Sequence, residues 1–71
     1  MLKPVEMIVC RQRNTPKETE CFFDVRPATI PEHYGPEEIE ILEDRVAQHY
    51  WVADGDLTQI SVCIIETGDI Q

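Results

Sequence analysis

The residues with the most reactive side chains are three cysteines (Cys10, Cys21, Cys63) and two histidines (His33, His49). The cysteines form no C-x-x-C pair, and the spacing of the five residues matches no metal-ligand signature. An odd number of scattered cysteines indicates free, structural thiols in a reducing, cytoplasmic compartment. We therefore predict a non-enzymatic protein without metal or cofactor. A small metal-binding or enzymatic domain that uses His33, His49 and a cysteine is kept as an alternative.

Carboxylates are concentrated in the stretch EEIEILEDRVAQHYW, residues 37–51. At about 100° per residue, Ile39, Leu42, Val46 and Tyr50 share one face, which predicts an amphipathic helix with that stripe against a core. The opposite face is acidic and also carries two large apolar residues. We predict that this face binds a partner, and its members are Glu37, Glu40, Ile41, Asp44, Gln48 and Trp51.

Trp51 admits two interpretations. An aromatic side chain framed by carboxylates is typical of a surface that binds a basic, partly apolar partner. Indole rings are also highly buried on average. The alternative is therefore that the proline-rich segment before the helix folds back over Trp51.

The charge of the chain is strongly negative and unevenly distributed. Six Lys and Arg against fourteen Asp and Glu give a net charge of −8. Residues 1–30 hold five basic and four acidic groups (net +1), whereas residues 31–71 hold one basic and ten acidic groups (net −9). Such a field repels nucleic acid and acidic membranes and attracts basic surfaces. The predicted partner is therefore a larger protein with a basic surface, and neither nucleic acid nor a membrane is expected to bind directly.

Four elements must position these residues. Alternating apolar residues predict strands over 5–10 and 20–26, with RNTPKET as the turn between them and Pro27 as the end of the second strand. The proline-rich segment that follows is predicted to be a loop. A helix is predicted from Pro36 to Ala53 with Gly55 as its stop, followed by a strand over 57–66. In the alternative, the helix ends near Gln48, and HYWVA forms a strand that pairs with the strand that follows it.

The predicted fold is one small α+β domain spanning residues 1–71. Its three-stranded antiparallel sheet has the element order β-β-α-β and the strand order 2-1-3, and the helix packs on one face. The expected core combines the helix stripe with one side of each strand: Val5, Met7, Val9, Cys21, Phe23, Val25, Ile60, Val62 and Ile64. One helix covers only one face, so the other face is a second candidate interface, formed by Ile8, Cys10, Phe22, Cys63 and Ile65. The alternative is a lid made by the termini or by the loop, through Ile30 and Tyr34.

Three hypotheses for function follow. The first is an acidic protein-binding module that acts as an inhibitor or an adaptor. Its carboxylates are expected to mimic a phosphate backbone, so that its target is a nucleic-acid-binding protein. In size, charge and compactness the chain resembles the inhibitors that phages and mobile elements encode against host defence enzymes; this resemblance rests on bulk properties and on no motif. The second is an obligate homodimer or complex subunit that uses the second sheet face. The third is the metal-binding or enzymatic domain.

Overall fold

The computed structural model describes residues 1–67, which form three strands and one helix. Strand β1 is Leu2–Asn14, β2 is Thr19–Pro31, α1 is Pro36–Ala53 and β3 is Leu57–Glu66. The sheet is antiparallel with the order β2-β1-β3. The predicted fold class and strand order are therefore confirmed. The helix and the third strand also have the predicted bounds, so HYWVA is helical and the alternative strand does not form.

The hairpin formed by β1 and β2 is longer than the sequence predicted. Each strand has 13 residues, and Pro27, predicted to end β2, lies inside it opposite Glu6. That prediction was wrong because β2 is an edge strand, where one side of the backbone has no partner strand and a missing N–H is tolerated. The predicted loop shrinks to the four residues between Pro31 and Pro36.

Local hydrogen bonds fix the turns that separate the elements. In the hairpin turn, the Thr15 amide donates to the Glu18 carbonyl oxygen at 2.8 Å. At the start of α1, the Gly35 amide donates to Glu38 Oε1 at 2.7 Å, which satisfies a backbone donor before the first turn. At the end of α1, the Asp56 amide donates to Asp54 Oδ1 at 3.0 Å. This Asx turn redirects the chain into β3.

The helix lies closest to β3 and leaves β2 at a distance. Glu43 Oε2 accepts a hydrogen bond from the Ile64 amide at 2.8 Å. Because β1 is the one strand that pairs with β3 among residues 1–67, this contact satisfies a donor that the edge of the sheet leaves free. The helix thereby shields the edge of β3 as well as one face of the sheet.

The core is thin. Among the described residues the buried hydrophobic side chains are Val5, Val9, Ile30 and Leu57, and none belongs to α1. The predicted helix stripe does face the sheet, but its members are only partly buried. The domain measures 46 × 25 × 16 Å, which leaves room for two layers and no more. The compactness assumed from the sequence was therefore wrong.

The side of β2 that faces the helix was predicted incorrectly. The register pairs Arg11 with Phe22 and Cys10 with Phe23. Phe22 therefore lies on the side of α1, whereas Phe23 lies on the opposite side together with Cys21 and Val25. Segment CFFDV carries apolar residues on both sides, so its alternation alone does not select the face.

Candidate functional site: two exposed surfaces

The first surface is the outer face of α1, where all six predicted partner-binding residues are exposed. Pro36 begins the helix, and Glu37 and Glu38 lie in its first turn, where the positive end of the helix dipole favours carboxylates. Ile41 is 56% exposed and Trp51 is 42% exposed. The face therefore combines carboxylates with apolar side chains that the rest of the described chain covers only in part.

The loop does not fold back over Trp51. Its Tyr34 lies beside the first half of α1, where it lines a pocket with Glu38, Ile41 and Leu42. Trp51 is fifteen residues after Pro36, which is about 22 Å along the axis at about 1.5 Å per residue. The short loop is tied to the far end of the helix, and this geometry leaves the indole partly open to solvent.

Between the helix and the sheet lies an arginine cluster that was not predicted from the sequence. The guanidinium carbon of Arg11 lies 5.3 Å from the ring centroid of Phe22 and 5.1 Å from that of Tyr50. Arg11 Nη2 also donates to Asp24 Oδ2 at 2.8 Å. Arg11 is thus held between two rings and neutralised by a carboxylate, and it connects β1, β2 and α1.

Arg13 makes the corresponding contact at the end of α1. Its Nη2 donates to Asp54 Oδ2, and its guanidinium carbon lies 5.5 Å from the Phe22 centroid. The Asp56 amide and the Arg13 guanidinium together lower the pKa of Asp54, and the Asp54 carboxylate raises the pKa of Arg13. Because carboxylates already engage both arginines, we interpret the cluster as a clamp between α1 and the sheet. The Nε atoms of Arg11 and Arg13 are buried without a partner among residues 1–67.

A longer first strand would have revealed this cluster from the sequence. Val9, Arg11 and Arg13 lie on the same side of β1 in strict alternation. The strand predicted from the sequence ended at Cys10, which left Arg11 outside any element and placed Arg13 in the turn. Arginines on the same side of a strand as a buried valine indicate that a helix or an aromatic ring covers that side of the strand.

The second surface is the side of the sheet away from α1, called the open face below. Cross-strand pairing arranges it in rows across β2, β1 and β3. The two central rows are Phe23–Cys10–Ser61 and Val25–Ile8–Cys63, flanked by Cys21–Gln12–Gln59 and Pro27–Glu6–Ile65. Phe23 is 67% exposed, Val25 47% and Ile65 46%. The structure thus brings together the predicted Ile8, Cys10, Cys63 and Ile65, whereas it places Phe22 on the opposite side.

The predicted lid through the loop does not cover the open face. Ile30 pairs with Lys3, is 3% exposed and belongs to the helix side of the sheet. Tyr34 also lies on that side, beside α1. Ile30 lies on the helix side because the hairpin register pairs it with Lys3, which is on the same side of β1 as Val5. Tyr34 lies there because its loop leads directly into α1. The alternative in which the C-terminal end of the chain forms the lid concerns residues 68–71, which lie outside the described residues.

All three cysteines are free and lie on the open face. Cys21 and Cys63 are exposed, and Cys10 is partly buried. The prediction of structural thiols therefore does not fit Cys21 and Cys63, since the strands that hold them present their side chains to solvent rather than to the core.

The histidines do not assemble a site with the cysteines. His33 packs edge-on against Tyr34 in the loop, and His49 is exposed on α1. Within residues 1–67 no group of three or more His, Cys, Asp or Glu side chains is arranged to hold a metal ion. The described part of the chain likewise has no helix that is long and apolar enough to cross a membrane.

No protein-family model, curated protein or solved structure matches the chain. The fold and the two surfaces define a small two-layer α+β domain with an acidic helix on one side and an apolar, nearly uncharged sheet face on the other.

Proposed function

We propose that this chain is a protein-binding module that docks the outer face of α1 on a basic surface of a larger protein. The observation that carries the proposal is the exposure of Trp51 and Ile41 among the helix carboxylates. Tryptophan is enriched among the residues that dominate binding energy, and indole rings are highly buried on average, so an indole that is 42% exposed is a candidate anchor.

Electrostatics select the kind of partner. Glu37, Glu40 and Asp44 are exposed on the same face, and the chain as a whole carries a net charge of −8. This field accelerates encounter with a basic surface and disfavours acidic partners. Proteins that bind nucleic acid present such basic surfaces. We therefore favour a nucleic-acid-binding protein as the target, with this chain acting in the cytoplasm as its inhibitor or adaptor.

A charge-reversal experiment tests the steering role of the helix face. Bait protein carrying Glu40→Lys and Asp44→Lys should capture less of a partner from host extract than the unmodified chain, and the captured amount should depend less on salt. A matched control reverses Glu18 and Glu32, which are exposed outside α1 and change the net charge equally. Mass spectrometry identifies and quantifies the captured protein. Equal losses with both double variants would show that only total charge matters and that the helix face is not the site.

A truncation experiment tests the anchoring role of Trp51. With the captured partner purified, Trp51→Ala should accelerate dissociation and weaken binding by about 2 kcal/mol or more, whereas Val52→Ala should change binding little. Surface plasmon resonance measures both rates. If Trp51→Ala lowers the melting temperature sharply and leaves binding unchanged, the indole stabilises the fold and the proposal fails.

A further inference from the structure

The open face differs from the rest of the surface in its charge. The four rows contain one charged residue, Glu6, in a chain with six basic and fourteen acidic residues. Phe23, Val25 and Ile65 are all close to half exposed or more on this face. Contiguous apolar surface of this kind is typical of a contact site.

The fold also lacks the burial that a chain of this size needs. Four hydrophobic side chains are buried among the described residues, and the molecule is 16 Å thick in its shortest direction. The radius of gyration is 14.1 Å, compared with about 11 Å for a compact chain of 71 residues. Small domains compensate for a thin core by association, and a second copy is always present at the same concentration.

We propose that a second copy of this chain covers the open face, so that two sheets pack face to face with the helices outside. The net charge of −8 does not oppose this arrangement. With about 10 Å for each layer spacing, the two helices lie about 30 Å apart. This is more than three Debye lengths at physiological salt, which are about 8 Å each, so the repulsion between the acidic helices is screened.

Glu6 selects the direction of the two-fold axis. An axis parallel to the strands would place Glu6 against Glu6 of the second copy, and two buried like charges are disfavoured. An axis perpendicular to the strands that crosses β1 at Val9 instead places Glu6 opposite Gln12 of the second copy, since both are three residues from Val9. The Gln12 amide can donate a hydrogen bond to the carboxylate. The two central apolar rows then face each other.

The available area predicts a dimer of moderate affinity. The ten residues of β3 span about 33 Å, and three strands are about 14 Å wide. The shared face thus measures about 460 Å² per copy and about 900 Å² for the pair, to which the longer β1 and β2 add. Specific interfaces begin near 1,000 Å², so we expect a dissociation constant of about micromolar order.

Light scattering of the full chain over a hundredfold range of concentration around about 10 µM tests this proposal. The mass should rise from 8.2 kDa towards twice that value, and it should do so at high salt as well. Phe23→Glu should raise the dissociation constant about tenfold or more, because a carboxylate would be buried in the interface. The matched control is Ile41→Glu, a comparably exposed site on the outer face of α1, which should leave the dimer intact.

Cross-linking tests the arrangement itself. In the proposed pair, Cys10 of the two copies is offset by about 7 Å along the strands, whereas Cys21 is offset by about 20 Å. A short bismaleimide should therefore join single-cysteine chains that keep Cys10 but not those that keep Cys21. The dimer proposal is wrong if the chain is monomeric at all concentrations, or if Phe23→Glu and Ile41→Glu weaken the dimer equally. Loss of partner capture by Ile41→Glu alone tests the proposed binding role of the helix face and leaves the dimer proposal unaffected.

Discussion

The adjacent residues Phe22 and Phe23 provide a matched pair for testing the fold. They have the same side chain and the same strand, but the hairpin register sends them to opposite sides of the sheet. Phe22 is partly buried against the guanidinium groups of Arg11 and Arg13, whereas Phe23 is 67% exposed. Replacing each by alanine should therefore have very different effects on the free energy of unfolding.

The magnitudes follow from burial and contacts. Full burial makes Phe→Ala cost about 3–5 kcal/mol. Phe22 is partly buried, so we expect about 2 kcal/mol, and about 1 kcal/mol more for the lost contacts with two guanidinium groups. For Phe23 we expect less than about 1 kcal/mol, mainly from the lower strand preference of alanine. The expected difference is about 2 kcal/mol.

Urea denaturation followed by Trp51 fluorescence measures both values. The experiment is run at low protein concentration, where self-association does not contribute, and Phe22→Leu is included in case Phe22→Ala does not fold. Phe22→Leu keeps most of the apolar volume but loses the aromatic ring, so about 1 kcal/mol is expected. Equal destabilisation by the two alanine variants, or a larger effect at Phe23, would refute the assignment of β2 to its two faces.

Three further predictions concern the core, the clamp and the sheet edge. Val9→Ala should destabilise by about 2 kcal/mol in the same assay, because Val9 is 1% exposed at the centre of the sheet. Asp54→Asn should flatten the loss of stability in acid. The pKa of Asp54 is lower in the folded state than in the unfolded state. Its contribution to the free energy of unfolding is therefore fully present above the unfolded pKa of about 4, and it is lost as the pH falls towards the folded pKa. Unfolding curves measured at stepwise lower pH test this. Glu43→Ala should speed hydrogen exchange of the Ile64 amide measured by NMR, whereas Glu43→Gln, which keeps a side-chain acceptor, should change it less.

The features that depend on local pattern could be read from the sequence. The helix from Pro36 to Ala53 follows from its apolar spacing and from a proline suited to the first turn. The third strand follows from alternation bounded by Gly55, and the acidic outer face follows from the helical period. These signals involve residues within a few positions of one another, so no distant contact is needed to interpret them.

Other features depended on contacts between distant parts of the chain. CFFDV has apolar residues on both sides, and only pairing with β1 decided that Phe22 faces the helix and Phe23 the open face. Pro27 could remain in a strand only because β2 lies at the edge of the sheet. Arg13 was drawn into the helix–sheet interface by Asp54, a partner 41 residues away. Sequence periodicity determined which elements form and which helix face is acidic, whereas tertiary pairing determined which strand faces are covered, because burial is a property of the partner as much as of the residue.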